Sequence, residues 1–404
     1  MFVIGRRATS VASRRLYVAR PSVVVHVKAL ATTQEAQIVS ERPHGALWLR
    51  QQQELEELER KLNKSLEEYQ RLLSKSGNTA VSDKSVSLIG ALHKIANCYE
   101  DLEYWDEALR IEEEIRKQIL NDKESSTLTS NEQLAASSYR IGKLHHRQEK
   151  WQLAHRYYDE ALELHRDQVK RGQVYISIAG IHFHRGDYQK ALQTLQEQAE
   201  PCFPPHDMGL FKCIQHEGLI YRTLENFEEA LNSYQKASEI LEMQESIDDT
   251  IKRELDLDTA DMLTACDHLD EALGLYVDIL ERTRNCNDFD DEESQPFEAV
   301  ILHNIGKIHA RKGELEEAVG NLSRAVDLKE HWLGEFHPEL GKTLSALGAV
   351  YGVVKEKQKA LQCFQKALLI ARMHADDEDD PDVFLALRNI GVLKGEVNQD
   401  KTNE

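Results

Sequence analysis

Twelve residues separate a small side chain from an alanine, and the chain repeats that interval seven times. Between the two, three positions after the small residue, stands an aromatic residue, His or Leu. The set recurs as Ala96/Tyr99/Ala108, Gly142/His145/Ala154, Ala179/His182/Ala191 and Gly218/Tyr221/Ala230, then as Ala260/Leu263/Ala272, Gly306/His309/Ala318 and Gly348/Tyr351/Ala360. Gly391 takes the small position of an incomplete eighth copy. The marker alanines lie 46, 37, 39, 42, 46 and 42 residues apart. A period of this length signals stacked supersecondary units. Each copy predicts two antiparallel helices, A and B, joined by a short turn at sites such as 185–188 and 312–315. Small residues let helix A approach helix B closely. The residue four past the marker alanine (Tyr158, Leu195, Tyr234, Tyr276, Leu322, Phe364) is expected to fill the space beside the next copy. One pair cannot bury its own apolar face, so the copies must stack. The predicted fold class is all-α: a right-handed α-α superhelix (solenoid) of about seven helix pairs plus a C-terminal partial repeat, over residues 88–393.

Composition agrees and narrows the function. Apolar residues make up 41% of the 404, and only 8 are Pro, which favours a mostly helical chain. The net charge of −20 argues against nucleic acid as the main partner. Cys98, Cys202, Cys213, Cys266, Cys286 and Cys363 include no CxxC pair, so neither a disulfide framework nor a zinc site is expected. Small core residues are the better reading of them. No run of 18 apolar residues exists that would read as a transmembrane helix.

The flanks differ from the repeats. Residues 1–34 carry Arg6, Arg7, Arg14, Arg15, Arg20 and Lys28 and no acid. An Arg-rich, Ser-containing, acid-free start has the composition of an organellar transit peptide, so mitochondrial localisation is expected. The alternative is a disordered basic tail on a cytoplasmic protein. Residues 45–75 predict an N-terminal helix, with Leu55, Leu58, Leu62, Tyr69 and Leu72 at a 3-4 spacing that Ser65 interrupts. It is expected to pack back on the array. A short coiled coil that brings two chains together is the alternative. Residues 394–404 are expected as a disordered tail.

The repeated pattern Leu/Ile-Gly-x-x-Tyr/His…Ala…Tyr/Phe-x-x-Ala resembles the tetratricopeptide repeat over about residues 88–393. The later copies resemble the long-period variety of the kinesin light chain family, through LGEFHPELGKTLSALGAVYGVVKEKQKALQCFQKALLIA (333–371) with Gly334 and His337-Pro338 ahead of helix A. This linker occurs once, the double Asn of that family is reduced to Asn304 and Asn389, and its long heptad region has only residues 47–75 as a counterpart. The resemblance therefore implies the domain type, a scaffold or adaptor for protein or peptide partners, and not a motor subunit.

In such an array the A helices line an inner face. Its expected cations are Lys94, Arg140, Lys143, Arg147, Lys212, Arg222, Lys307, Arg311, Lys342 and Arg388, against Glu100, Asp101, Glu254, Asp258 and Asp261. A basic track with His93, His146, His184, His216 and His303, inside an acidic protein, favours an acidic peptide. Asn97, Asn304 and Asn389 would hold its backbone. Arg140, Lys143 and Arg147 share one helix face. The chaperone-carboxylate clamp found in some tetratricopeptide domains is not expected. Asn97 fits its pattern, but His93, Lys143, Gln173 and Ser177 replace its other members.

No enzyme, metal site or cofactor is expected. His145 and His182 occupy the aromatic position of their repeats, and the acidic runs 287–294 and 376–382 lack the ligand order of a calcium loop. The alternative function is a regulatory or enzymatic site in the divergent fourth and fifth repeats, where Glu217 stands in place of Ile or Leu.

Overall fold

A computed structural model describes residues 46–74, 81–121, 127–244, 246–285, 291–375 and 380–402, apart from side chains near the ends of some helices. The basic segment 1–34, Cys286, and residues 287–290 and 376–379 of the acidic runs lie outside the described residues. Among the described residues there are sixteen α-helices. They are α1 (Ala46–Ser74), α2 (Val81–Asp101), α3 (Trp105–Asn121), α4 (Thr127–Arg147), α5 (Trp151–Leu164), α6 (Gln168–His184), α7 (Tyr188–Gln193) and α8 (Met208–Thr223). Then follow α9 (Phe227–Glu242), α10 (Asp249–Ala265), α11 (Leu269–Asn285), α12 (Asp291–Lys312), α13 (Leu315–Leu333), α14 (Pro338–Val353), α15 (Lys357–His374) and α16 (Pro381–Thr402). From α2 onward, even-numbered helices are the A helices and odd-numbered ones the B helices of seven hairpins. α16 is the A helix of the eighth copy and takes in most of the stretch expected as a tail.

The twelve-residue interval has a backbone cause. In all seven hairpins the residue seven past the small one has a positive φ: Glu103, Glu149, Gly186, Glu225, Asp267, Gly313 and Lys355. The next N–H then bonds back to the carbonyl of the aromatic position, at Tyr99, His145, His182, Tyr221, Leu263, His309 and Tyr351, with lengths of 2.8–2.9 Å. This is the Schellman closure of helix A. Four residues later the marker alanine donates to the residue that opens helix B, as Ala154 does to Lys150 at 3.0 Å. Every marker alanine (108, 154, 191, 230, 272, 318, 360) is fully buried. A Cβ at Gly142, Gly218 or Gly306 would lie 2.6–2.7 Å from Tyr158, Tyr234 or Leu322 of its own helix B, so only glycine admits that approach. The same side chains also reach forward. Tyr158 packs with Val174, Ile178 and Ile181 of the next repeat, Leu322 with Leu347 and Val350, and Phe364 with Ile390 and Leu393.

The A helices start on side-chain caps that satisfy otherwise orphaned N–H groups. Asp167 accepts from Val169 N–H at 2.9 Å, Asp207 from Gly209 at 2.6 Å and Asp380 from Asp382 at 2.8 Å. In the linker that resembles the kinesin light chain, Gly334 ends α13 at φ 92°. His337 Nδ1 then accepts from Glu339 N–H at 3.2 Å, and Pro338 occupies the first turn of α14.

Contacts gather the chain into two compact units, whose described parts are chiefly Gln52–Leu255 and Asp256–Thr402. In the first, α2, α4, α6 and α8 each pack on their own B helix, and α3, α5 and α7 pack on the next A helix, while α4, α6 and α8 also touch in series. α1 lies against the first hairpin: Tyr69 joins Leu92, Ile115 and Ile119, and Glu68 pairs with Lys94 at 3.1 Å. One B helix in this unit is irregular. After α7 the chain makes a π turn over Thr194–Ala199 and a 3-10 turn over Glu200–Cys202. Phe203 then fills a cradle where a Cβ on Gly172 or Gly209 would clash. In the second unit α12 to α16 repeat the regular scheme, with α12 touching α14 and α14 touching α16.

Candidate functional site

In the first unit the expected inner-face residues divide into spent and unspent cations. Lys94 is paired with Glu68. Arg140 is held three ways: its Nε lies 2.7 Å from Glu112 Oε1, its guanidinium 3.5 Å from Glu100, and it donates to Asn97 Oδ1 at 2.5 Å. Asn97 is thereby occupied as well. Glu112 went unnoticed in the sequence pattern, although it was readable there. It sits four past Ala108, where the other repeats place Tyr, Leu or Phe, and it is fully buried between Arg140 and His93, with His93 Nδ1 at 3.3 Å. A buried carboxylate needs such partners.

Lys143, Arg147 and Lys212 make no ion pair with a carboxylate among the described residues. The Arg147 guanidinium stands 6.0 Å from the Trp105 ring centre, the geometry of a weak cation–π contact. The Lys143 side chain reaches water and yet is crowded by protein, and its pKa is lowered. Desolvation is the main cause; Glu100 opposes it, and Arg147, Arg140 and Lys212 add repulsion. The histidines contribute rings in place of charge. Burial, with His184 and Arg147 beside it, lowers the His146 pKa to about 4. Burial also lowers His184 and His216. His184 stacks on Trp151 at 5.6 Å, and His146 meets both edge-on. His145 is buried against Tyr157, and His182 lies edge-on to His155. These two act as packing residues, as their repeat position predicts. Arg222 has partners within the fold.

The second unit is also largely tied. Asn304 Nδ2 donates to Asp261 Oδ1 at 3.2 Å and to the Tyr276 hydroxyl at 3.1 Å, while that hydroxyl donates to Asp261. Arg311 reaches back to the Thr264 carbonyl at 2.6 Å and Asp267 at 2.8 Å. Lys342 pairs with Glu339 at 2.7 Å. Lys307 and Arg388 are exposed, and Asn389 is half-buried.

In the divergent repeats Glu217 is a strongly perturbed carboxyl. Burial, with Glu200 sharing its hydrogen bond, raises the Glu217 pKa to about 8. It lies next to buried Cys213 and Ile220 in the core of repeats three and four. A surface pocket of about 720 Å³ lies elsewhere, over α5 beside Arg116, Trp151, His155 and Arg185. Within it Arg116 pairs with Glu160, and His155 Nδ1 lies 3.0 Å from Asp159. Among the described residues no group of three or more His, Cys, Asp or Glu could hold a metal ion, and no helix is long and apolar enough to cross a membrane. Cys98, Cys202, Cys213, Cys266 and Cys363 are free thiols, and Cys213 is buried.

Family models of the tetratricopeptide repeat match residues 139–206, 212–240 and 297–373. The first hairpin and the divergent fifth fall outside those matches. No curated protein sequence matches the chain. Among solved structures, the apo form of RapI superposes with a TM-score of 0.55 at 17% identity, covering 76% of this chain and 87% of that one. YrrB, described as a tetratricopeptide-repeat protein with an unusual peptide-binding site, gives 0.37 at 19%, over 57% and 96%. A putative kinesin light chain from Podosopora anserina gives 0.40 at 12%, over 48% and 94%, so the likeness to that family is weak and partial. Motif, hairpin geometry and matched segments agree: the chain carries tetratricopeptide repeats over residues 139–206, 212–240 and 297–373.

Proposed function

We propose that the protein is an interaction scaffold that binds an acidic peptide segment of a partner protein through Lys143, Arg147 and Lys212 on the A helices of repeats two to four. Tetratricopeptide folds generally act as protein–protein interaction scaffolds, and stacked repeats present extended binding surfaces. The observation that carries the acidic preference is Lys143. Its ammonium is destabilised by desolvation and by neighbouring Arg147, Arg140 and Lys212, with Glu100 as the one opposing carboxylate. An incoming carboxylate would relieve that repulsion and gain charge-assisted hydrogen bonds. Arg140 serves the fold, because it neutralises buried Glu112.

A repeat array without a metal-ligating cluster among its described residues is consistent with a non-enzymatic scaffold. The alternative, a regulatory or enzymatic site in repeats four and five, has the strongly shifted carboxyl of Glu217 as a candidate, and that group lies inside the packing. The basic segment 1–34 supports a mitochondrial address. A fluorescent fusion imaged with and without those residues tests it, and an unchanged cytoplasmic signal would refute it.

The binding reading is tested by passing the full chain over an immobilised random-peptide array. Wild type is expected to enrich Asp- and Glu-rich peptides, with affinity falling steeply as salt rises. The triple variant Lys143→Glu, Arg147→Glu, Lys212→Glu, with Arg140 left in place, is expected to lose that preference. Equal acidic enrichment by both chains would sink the reading.

A further inference from the structure

Repeats six and seven contain a second cationic cluster, built around a buried lysine. Lys329 lies eleven residues past its marker Ala318, a position held by Ile119, His165, Cys202, Leu241, Thr283 and Ala371 in the other repeats, so it is the one ammonium there. Its side chain is only 3% exposed. A buried ammonium is tolerated when short, well-directed partners replace its lost hydration. Lys329 has long ones: its Nζ is 3.5 Å from Glu339 Oε2 and donates to the Glu339 carbonyl oxygen at 3.4 Å. Charge-assisted bonds run nearer ~2.7–2.9 Å. Glu339 is shared besides, since its Oε1 accepts from Lys342 at 2.7 Å.

Two residues of α12 complete the cluster. His303 Nδ1 is buried and has no hydrogen-bond partner. Lys307, one turn along, is solvent-exposed, and its charge acts on both His303 and Lys329. Burial, then Lys329 and Lys307, lower the His303 pKa to about 3, so its imidazole is neutral. Lys329 and Lys342 thus share the Glu339 carboxylate, the Lys307 charge repels Lys329, and the buried His303 nitrogen has no hydrogen-bond partner. Exposed Lys307 and Lys342 leave the cluster open to solvent.

We propose that Lys307, Lys329, Lys342 and His303 form a binding site for one anionic side-chain group of a partner, a carboxylate or a phosphate, which competes with Glu339 for Lys329 and Lys342. It rests on the proposed scaffold reading for the molecule that carries the anion, while the site itself is independent of Lys143, Arg147 and Lys212. The incoming oxygens would shorten the contacts of Lys329 and give the His303 nitrogen a partner. Glu339 is then an internal stand-in for the ligand.

The test titrates inorganic phosphate, and separately acetate, into the full chain labelled at histidine, with the imidazole resonances followed by NMR. A saturable shift of His303 is expected. Lys307→Gln, an exposed change that spares folding, should weaken phosphate about tenfold, the worth of one charge-assisted bond. Glu339→Gln should tighten it by a similar factor, because it removes the competitor. A purely structural ion pair predicts no such gain. A shift with phosphate alone assigns a phosphorylated side chain, and a shift with both assigns acidic side chains generally. No saturable shift at His303, or affinities unchanged in both variants, overturns the site. The triple variant of repeats two to four should leave the His303 response intact, so failure of the peptide track and failure of this site are separable.

Discussion

At Gly306 the space available is that of a hydrogen atom. Helix propensity alone favours Ala over Gly by about 1 kcal/mol, yet a Cβ there would lie 2.6 Å from Leu322 Cγ. Gly320, on the B helix of the same hairpin, has nothing within 4 Å of the equivalent position. Gly306→Ala is therefore expected to destabilise by about 1–3 kcal/mol through overpacking, and Gly320→Ala to stabilise by about 0.5–1 kcal/mol. Urea unfolding of both variants reads the two signs, and equal effects would contradict the packing account. The small position was legible in the sequence because a steric requirement recurs at every copy. Glu112 and Lys329 were harder to see, since Glu112 breaks its repeat rule at one copy only and the position of Lys329 varies from copy to copy. What they touch, Arg140 and Glu339, comes from a neighbouring repeat. Periodicity shows that such a residue departs from the pattern, but only the packed structure shows its partner.

Among the elements, the irregular third B helix was not legible at all. Its marker Ala191 and its Leu195 stand in register, and the helix departs from α geometry only over Thr194–Ala199 and the turn that follows. The displaced segment sets Glu200 against Glu217 of α8. For Glu217 the folded pKa of about 8 lies above the ordinary 4.5, so folding favours the neutral carboxyl. Stability from this group is then complete below about pH 4.5 and falls as the pH rises toward 8. Glu217→Gln keeps the shape and removes the titration. It is expected to raise Tm by a few degrees at about pH 8 and to leave it nearly unchanged at about pH 4. An equal shift at both pH values would assign the effect to something other than ionisation. The N-terminal helix illustrates the opposite case. Its 3-4 spacing is plain in the sequence, and the structure supplies what that spacing faces, the first hairpin through Tyr69 and Glu68.

At the scale of the whole chain, contacts within each unit are short-range in sequence, between helices adjacent or next but one along the chain. Stability in such an array is close to a sum of repeat and nearest-neighbour contributions. Unfolding is then not confined to one all-or-none step. Leu322→Ala removes a fully buried side chain that joins repeats six and seven, at a cost of about 2–5 kcal/mol. Hydrogen exchange followed by mass spectrometry should show loss of protection in α12–α14 with α4–α6 unaffected. Uniform acceleration along the chain would refute local coupling. This architecture also explains why the fold was readable and the ligand was not: the period reports what every repeat must do, whereas recognition resides where single repeats differ.

The hairpin turns carry one more implication. Five of the seven close on a side chain, Glu103, Glu149, Glu225, Asp267 or Lys355, held in a backbone conformation that glycine adopts freely. Each such residue costs the fold about 1 kcal/mol relative to glycine. The hairpins at Gly186 and Gly313 already have the cheaper residue. Because the turns share one backbone hydrogen-bond pattern, this cost can be removed one hairpin at a time, except that a change at Asp267 also removes its bond from Arg311. Selection acting on this chain can therefore make a repeat firmer or softer at its turn, by a change outside the packed helix faces.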